Sequence, residues 1–228
     1  MKLDTKLIYF IRHGETEANV AGIRQGASGK LTERGRAQAL ETAKRFPKQK
    51  GHPEVIIASP YERTRETAEI IAKELNMVLE YSPLLVERRN PTEIIGHVGT
   101  EPETKKIVDL IDKSFHDDDY RYSDEENFTD LKERARELLE YIKTRPEERI
   151  IMVTHSIFLK MIVSYMLLGD ELTASKYNAL SYLNPIDNGG ITICSYAHAT
   201  YWFKKPVEEW HLITWNDLIQ GEIQKEKF

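Results

Sequence analysis

Arg12-His13-Gly14-Glu15-Thr16 sets an imidazole, a permanent cation and a small turn residue in consecutive positions. A neutral imidazole is both a nucleophile and a proton carrier. A guanidinium beside it holds an anion through a planar fork of donors. The cluster directly follows the apolar run Leu7-Ile8-Tyr9-Phe10-Ile11, which reads as a buried strand. Open α/β sheets place their chemistry beyond the carboxyl ends of such strands. Two solvated polar side chains at a strand end account for the same residues, so the chemical reading depends on partners elsewhere in the chain.

Two further stretches supply candidates. The strand-like run Val55–Ala58 continues as Ser59-Pro60-Tyr61-Glu62-Arg63-Thr64-Arg65-Glu66-Thr67-Ala68. Pro60 suits the first turn of a helix. Arg63 then lies near a helix N-terminus, where the dipole and the guanidinium both favour an anion. The alternative is an exposed helical arginine paired with Glu62 or Glu66, and for Arg65 that is the reading adopted. The run Ile150-Ile151-Met152-Val153-Thr154 ends at His155, again before a helical segment. In a parallel sheet His13 and His155 meet at one edge. A histidine that attacks a phosphoryl group needs fixed cations for its oxygens, a proton donor for the leaving oxygen, and in-line placement.

These segments resemble the histidine phosphatase superfamily, also called phosphoglycerate-mutase-like. Its hallmark Arg-His-Gly is matched by Arg12-His13-Gly14, its Ser-Pro-x-x-Arg-x-x-x-Thr-Ala pattern by Ser59 through Ala68, and its second histidine by Val153-Thr154-His155. A Gln-Gly…Leu-Thr-x-x-Gly segment is matched by Gln25-Gly26 and Leu31-Thr32-Glu33-Arg34-Gly35. The matches run in the family's order from about Leu7 to Tyr196. Two positions depart. Ser28-Gly29-Lys30 stands where the family often has Asp-x-Pro, and Ser156 follows the second histidine where glycine is frequent.

The resemblance implies a metal-independent phosphatase, without cofactor, that hydrolyses a small phosphorylated substrate through a phosphohistidine on His13. It makes Arg12, Arg63 and His155 the phosphate clamp, with Asn19 as an extra donor. It makes Glu87, after Leu84-Leu85-Val86, the acid–base. The family's Glu-x-x-x-Gly-x-x-Glu-Gly continuation is replaced by Arg88-Arg89-Asn90-Pro91-Thr92-Glu93-Ile94-Ile95-Gly96, so Glu93 competes for that role. A salt bridge to Arg88 or Arg89 is the alternative use of Glu87. Gln25, Gly26, Arg88 and Arg89 are substrate-binding candidates. Arg24, Lys30, Arg88 and Arg89 suit a second anionic group, and surface solvation explains them equally well. Hydrolysis is favoured over phosphoglycerate-type transfer, because the mutase pattern after the acid is missing. A phosphohistidine or protein phosphatase and a catalytically silent phospholigand binder are the remaining alternatives. Both histidines are present, which counts against the binder.

The elements that must position these residues alternate as strand and helix. Strands are expected at Leu7–Ile11, Val55–Ala58, Arg149–Thr154 and Gly190–Tyr196. Helices are expected after Thr32 as N-cap, after Pro60, over Leu131–Ile142 and over Phe158–Leu168. Near-continuous apolar strands imply burial on both faces. The fold class is therefore α/β: three layers, α/β/α, around a mostly parallel sheet, read as one domain over 1–228. Residues 84–130 read as a cap insertion, with a short helix around Glu103–Phe115 and a solvated acidic loop His116-Asp117-Asp118-Asp119. A C-terminal hairpin, roughly 190–197 with 208–214, buries aromatics from among Tyr201, Trp202, Phe203, Trp210 and Trp215.

Composition excludes other classes. At 228 residues, 40% hydrophobic and 30% charged, the chain is an ordinary globular length and mix. A net charge of −5 offers no footprint for nucleic acid or an anionic membrane. No apolar run approaches a membrane span, and the N-terminal one is too short for a signal peptide, so a cytoplasmic location is expected. The lone Cys194 leaves no intramolecular disulfide and no cysteine metal site, and it reads as a core residue. Gly26-Ala27-Ser28-Gly29-Lys30 is no phosphate loop, because Arg24 and Leu31 stand where that motif needs Gly and Ser or Thr. The other histidines lack ligand spacing.

Overall fold

The computed structural model describes residues 2–46, 51–182, 185–200 and 207–218. Six strands form one sheet: β1 (Lys2–Arg12), β2 (Val55–Ala58), β3 (Leu79–Tyr81), β4 (Arg149–Thr154), β5 (Ile191–Thr200) and β6 (Val207–Asp217), in the order β3-β2-β4-β1-β5-β6. The first four pair in parallel, and β5 runs antiparallel to both β1 and β6. Parallel neighbours need crossover helices, whereas β5 and β6 need only a hairpin. The helices are α1 (Glu17–Ala21), α2 (Glu33–Lys44), α3 (Glu62–Leu75), α4 (Pro102–Ile111), α5 (Phe128–Thr144), α6 (Ser156–Leu168) and α7 (Ala174–Tyr182).

Alternate strand residues feed two cores. Ile11, Ile56, Ala58, Ile151 and Val153 pack with Ala43 of α2 and Ala68 and Ile71 of α3. Ile8, Phe10, Ile57, Ile150 and Met152 pack with Leu131 and Leu138 of α5 and with Phe158 and Leu159 of α6. Burial on both faces is why these strands are apolar without alternation.

The helix caps follow local chemistry. Thr32 caps α2, its Oγ1 accepting from the Gly35 amide at 3.0 Å. Pro60 falls one residue before the cap Tyr61, not in the first turn of α3. The chain turns first there: Thr64 Oγ1 donates to the carbonyls of Ser59 and Tyr61 at 3.0 and 2.8 Å. The hairpin pairs Tyr196 with Trp210 and Cys194 with Leu212, and the Tyr196 and Trp210 rings stand 4.9 Å apart. Tyr201, Trp202 and Phe203 lie outside the described residues. Cys194 is buried, and burial pushes its thiol pKa up to about 12.

Segment 84–130 is tied back to the loop before α2. Ile23 bridges Val98 in an antiparallel step. The Arg24 amide donates to His97 O, the Gly96 amide to Arg24 O and the Gly99 amide to Gly22 O, each at 2.9 Å. Within the acidic loop, Asp118 accepts from the Ala174 amide at 2.8 Å and so holds the start of α7. Among the described residues, no helix is long and apolar enough to cross a membrane.

Candidate active site

The parallel register brings the carboxyl ends of β1, β2 and β4 together. Arg12 pairs with Thr154, and Ala58 with Val153. Just beyond, the His13 amide donates to Thr154 O and the Ser59 amide to Val153 O, each at 3.0 Å. His13 and His155 therefore face one another, with ring centroids 5.2 Å apart at 61°. Arg63, at the second position of α3, enters between the loops and donates from Nε to His13 Nε2 at 3.3 Å. Its other arm donates to Gly26 O at 2.8 Å. Its guanidinium lies 5.3 Å over the Tyr61 ring, which also packs edgewise on His155.

His13, Arg63 and His155 are all buried. Burial, and then the Arg63 and Arg12 guanidiniums, hold the His13 pKa well below the usual histidine value. His155 is lowered by burial, Arg63, His13 and Arg12. Both rings are therefore neutral at pH 7. His13 Nδ1 meets Gly14 O at 2.8 Å, and His155 Nε2 meets Ser59 Oγ at 2.9 Å. The His155 Nδ1 is buried without a partner among the described residues. Arg12 donates to Ile186 O, and Asn188 Nδ2 ties the His13 carbonyl at 2.9 Å.

Glu87 occupies the amino end of α6. Its carboxylate accepts from the amides of Ile157 at 3.2 Å and Phe158 at 3.0 Å, and from Arg88 N at 2.9 Å. His155, the residue at the cap position, makes no side-chain cap, so Glu87 supplies one from another part of the chain. The contacts of Glu87 are thus backbone amides, where the sequence offered Arg88 and Arg89 as ion partners.

Arg12, His13, Asn19, Arg24, Gln25, Arg63, Glu87, Asn90 and Ser156 line one cavity of about 220 Å³. Gln25 reaches it while its Oε1 accepts from Thr16 Oγ1 at 3.1 Å. Asn19 caps α1 reciprocally with Thr16. Gly26 enters through its carbonyl on Arg63. Four of the expected candidates stand apart. Glu93 is exposed and bonds Tyr122. Arg89 is exposed, with Nε on Asp124 O at 2.9 Å and its amide on Glu126. Arg88 is buried beside Arg24 but is not among the cavity's lining residues. Lys30 lines a larger, open groove of mixed charge with Arg65, Glu62 and Glu66, away from both histidines. Arg65 pairs loosely with Glu69 at 4.0 Å and lies over the Tyr81 ring, rather than engaging Glu62 or Glu66, which bond Gly29 N and Leu31 N. Sequence reasoning did not single out Asn188, Asn90 or Tyr61. The Asn188-Gly189-Gly190 turn signal before β5 was the available hint for the first of these.

Two buried imidazoles and two guanidiniums cluster at one parallel sheet edge, beside a small cavity that Arg12, His13 and Arg63 line, an arrangement able to hold an oxyanion. The histidine phosphatase superfamily (branch 1) matches residues 8–211, and the chain belongs to that family. Its members are phosphatases or mutases. The chain is 33% identical over 164 residues to the probable phosphoglycerate mutase GpmB of Escherichia coli O139:H28, a match covering 70% of this chain and 74% of that protein. In structure it resembles a mycobacterial glucosyl-3-phosphoglycerate phosphatase, with TM-score 0.70 at 21% identity over 92% of this chain and 99% of the other. It also resembles a mutant phosphoserine phosphatase from Entamoeba histolytica in complex with phosphoserine, with TM-score 0.64 at 26% identity over 92% and 96% of the two chains.

Proposed function

We propose that the chain hydrolyses phosphate monoesters of small molecules by way of a phosphohistidine on His13. The observation that carries this reading is the neutral, buried His13, with Arg63 on its Nε2, Arg12 on the same cavity and the His155 ring 5.2 Å away. In the first step His13 Nε2 bonds to phosphorus as the ester P–O bond breaks, and Glu87 gives its proton to the leaving oxygen. In the second, Glu87 takes a proton from water, whose oxygen bonds to phosphorus as the P–N bond breaks. Arg12, Arg63 and His155 hold the non-bridging oxygens, with Asn19 beside them. These fixed donors stabilise the transition-state charge without a metal. Rapid quench with labelled phosphomonoesters, drawn from sugar phosphates, nucleotides and phosphoamino acids, tests the reading. Phosphate release and an acid-labile phosphoenzyme are expected, both lost in His13→Ala. Wild-type turnover in that variant would sink the nucleophile.

Likeness to a protein named as a phosphoglycerate mutase supports a second reading, in which the phosphohistidine returns its group to a bound acid. Priming with a bisphosphoglycerate separates the two. Efficient transfer with negligible hydrolysis would replace the first reading.

A further inference from the structure

Arg24 shares the cavity with His13 and Arg63, and the fold holds it there from both sides of its backbone. Its amide donates to His97 O and its carbonyl accepts from Gly96 N. Gly99 lies against the guanidinium so closely that a Cβ there would stand 3.1 Å from Nε. This short ladder joins the Gln25-Gly26 loop to segment 84–130, so the position of Arg24 is built by two distant stretches of chain.

One donor of the side chain is left over by the protein. Its Nε is buried and meets no acceptor among the described residues. Burial and the neighbouring Arg88 guanidinium work against its charge, and Asp112 eases it. On the same cavity wall the Asn90 Oδ1 is a buried acceptor without a donor among the described residues. A buried charged donor and a buried acceptor left unmatched are costly, and each is satisfied by a complementary ligand group. The phosphoryl position is already served by Arg12, Arg63 and His155.

We infer that Arg24 reads a second anionic group, a carboxylate or a second phosphate, on the leaving part of the substrate, while Asn90 accepts from a hydroxyl or ammonium beside it. This rests on the phosphomonoester reading above and names its substrate class: small phosphorylated acids or bisphosphates bearing a hydrogen-bond donor.

Matched pairs test it. 3-Phosphoglycerate is compared with glycerol 3-phosphate, phosphoserine with phosphoethanolamine, and 1,3-propanediol bisphosphate with its monophosphate. Each is measured both as a substrate and as a competitor of p-nitrophenyl phosphate hydrolysis. Wild type is expected to favour the more anionic member of at least one pair by about 10- to 100-fold, the range of a lost charge-assisted hydrogen bond. The first two pairs report a carboxylate and the third a phosphate. Arg24→Gln should bring the ratio close to one, and Arg24→Lys should keep part of it. Equal losses for both members in a folded Arg24→Gln protein, or no preference in wild type, overturns the inference and leaves the phosphatase reading standing. If p-nitrophenyl phosphate and every pair go unhydrolysed, the phosphatase reading fails. Calorimetric titration of the same pairs against wild type and Arg24→Gln then decides on Arg24.

Discussion

Arg63 donates from Nε to Nε2 of His13 across 3.3 Å, and this fixes the tautomer of the imidazole. A guanidinium has no acceptor, so Nε2 must carry the lone pair. The proton then sits on Nδ1, which faces Gly14 O at 2.8 Å. The ring is held neutral, with its unprotonated nitrogen on the side of Arg63. The sign of the pH dependence follows. Below a pH of about 6.5 the unfolded chain protonates both His13 and His155, whereas the folded chain, whose values are depressed, does not. The unfolded state then binds more protons, so stability falls as pH falls, by up to about 1.4 kcal/mol per pH unit for each histidine. Urea unfolding in phosphate-free buffer between pH 7 and 5.5 measures it. His155→Asn should show a shallower slope, and a flat wild-type profile would contradict the buried neutral rings.

Glu87 binds α6 through two amides of its first turn, so its replacement has two separable effects. Glu87→Gln keeps an acceptor oxygen for the cap and loses the proton and the charge. We expect a stability loss of about 0.3–1 kcal/mol from the lost charge–dipole interaction. For an alkyl phosphate we expect kcat to fall about 10²- to 10⁴-fold, the usual worth of general acid–base catalysis. p-Nitrophenyl phosphate, whose leaving oxygen needs no proton, should lose much less. Equal losses on the two substrates would remove Glu87 as the acid.

How much of this was legible follows from which residues act within one segment. His13, Arg63 and His155 each end a strand or open a helix, and that placement is written in the apolar runs before them. The parallel register then brings them together without further information. The fate of Glu93 and Arg89 was not legible, because it depends on Tyr122, Asp124 and Glu126, more than 25 residues downstream. β3 escaped notice because three residues on an exposed edge carry no period. α1 is a single capped turn held by Thr16 and Asn19, and its signal is local chemistry rather than hydrophobic pattern. The exchange of Glu87 from a side-chain ion pair to backbone amides depended on where α6 begins in space.

Arg134 on α5 is the hinge pin of the Glu87 loop. It donates to the carbonyls of Leu84 and Val86 at 3.2 and 2.7 Å, forks onto Glu126 at 2.9 Å, and lies 3.8 Å over the Phe158 ring. Arg134→Met keeps much of the stem and removes all of these donors. It leaves the largely buried Glu126 carboxylate without its fork, a change that typically costs about 3–5 kcal/mol. We expect a lower urea midpoint and, in the protein that remains folded, a loss in kcat on alkyl phosphates larger than any change in KM. Arg134→Lys should recover stability only in part, because it lacks the fork. A variant that alters KM alone would place Arg134 outside the positioning of Glu87.

The His13 loop and the start of α2 touch backbone to backbone, and this gives the Leu-Thr-x-x-Gly segment its part in the site. A Cβ on Gly35 would stand 2.1 Å from Glu15 O, and one on Gly14 would stand 2.3 Å from Gly35 O. Neither contact ends in a flexible side chain that could swing aside. Thr32 clasps the same junction, its amide on Glu15 O at 2.9 Å and its hydroxyl on the Glu15 carboxylate at 2.8 Å. Gly35→Ala must therefore push the loop that carries His13, although residue 35 is not among those lining the cavity. Overpacking of this kind typically costs about 1–3 kcal/mol, occasionally more. If His13 is the attacking group proposed above, a displacement of about 1 Å there costs about 10²-fold in rate. Thermal unfolding should show the first effect, and single-turnover phosphoenzyme formation the second. Phosphoenzyme formation at the wild-type rate in Gly35→Ala would mean that the loop yields without moving His13, and that the close approach serves packing alone.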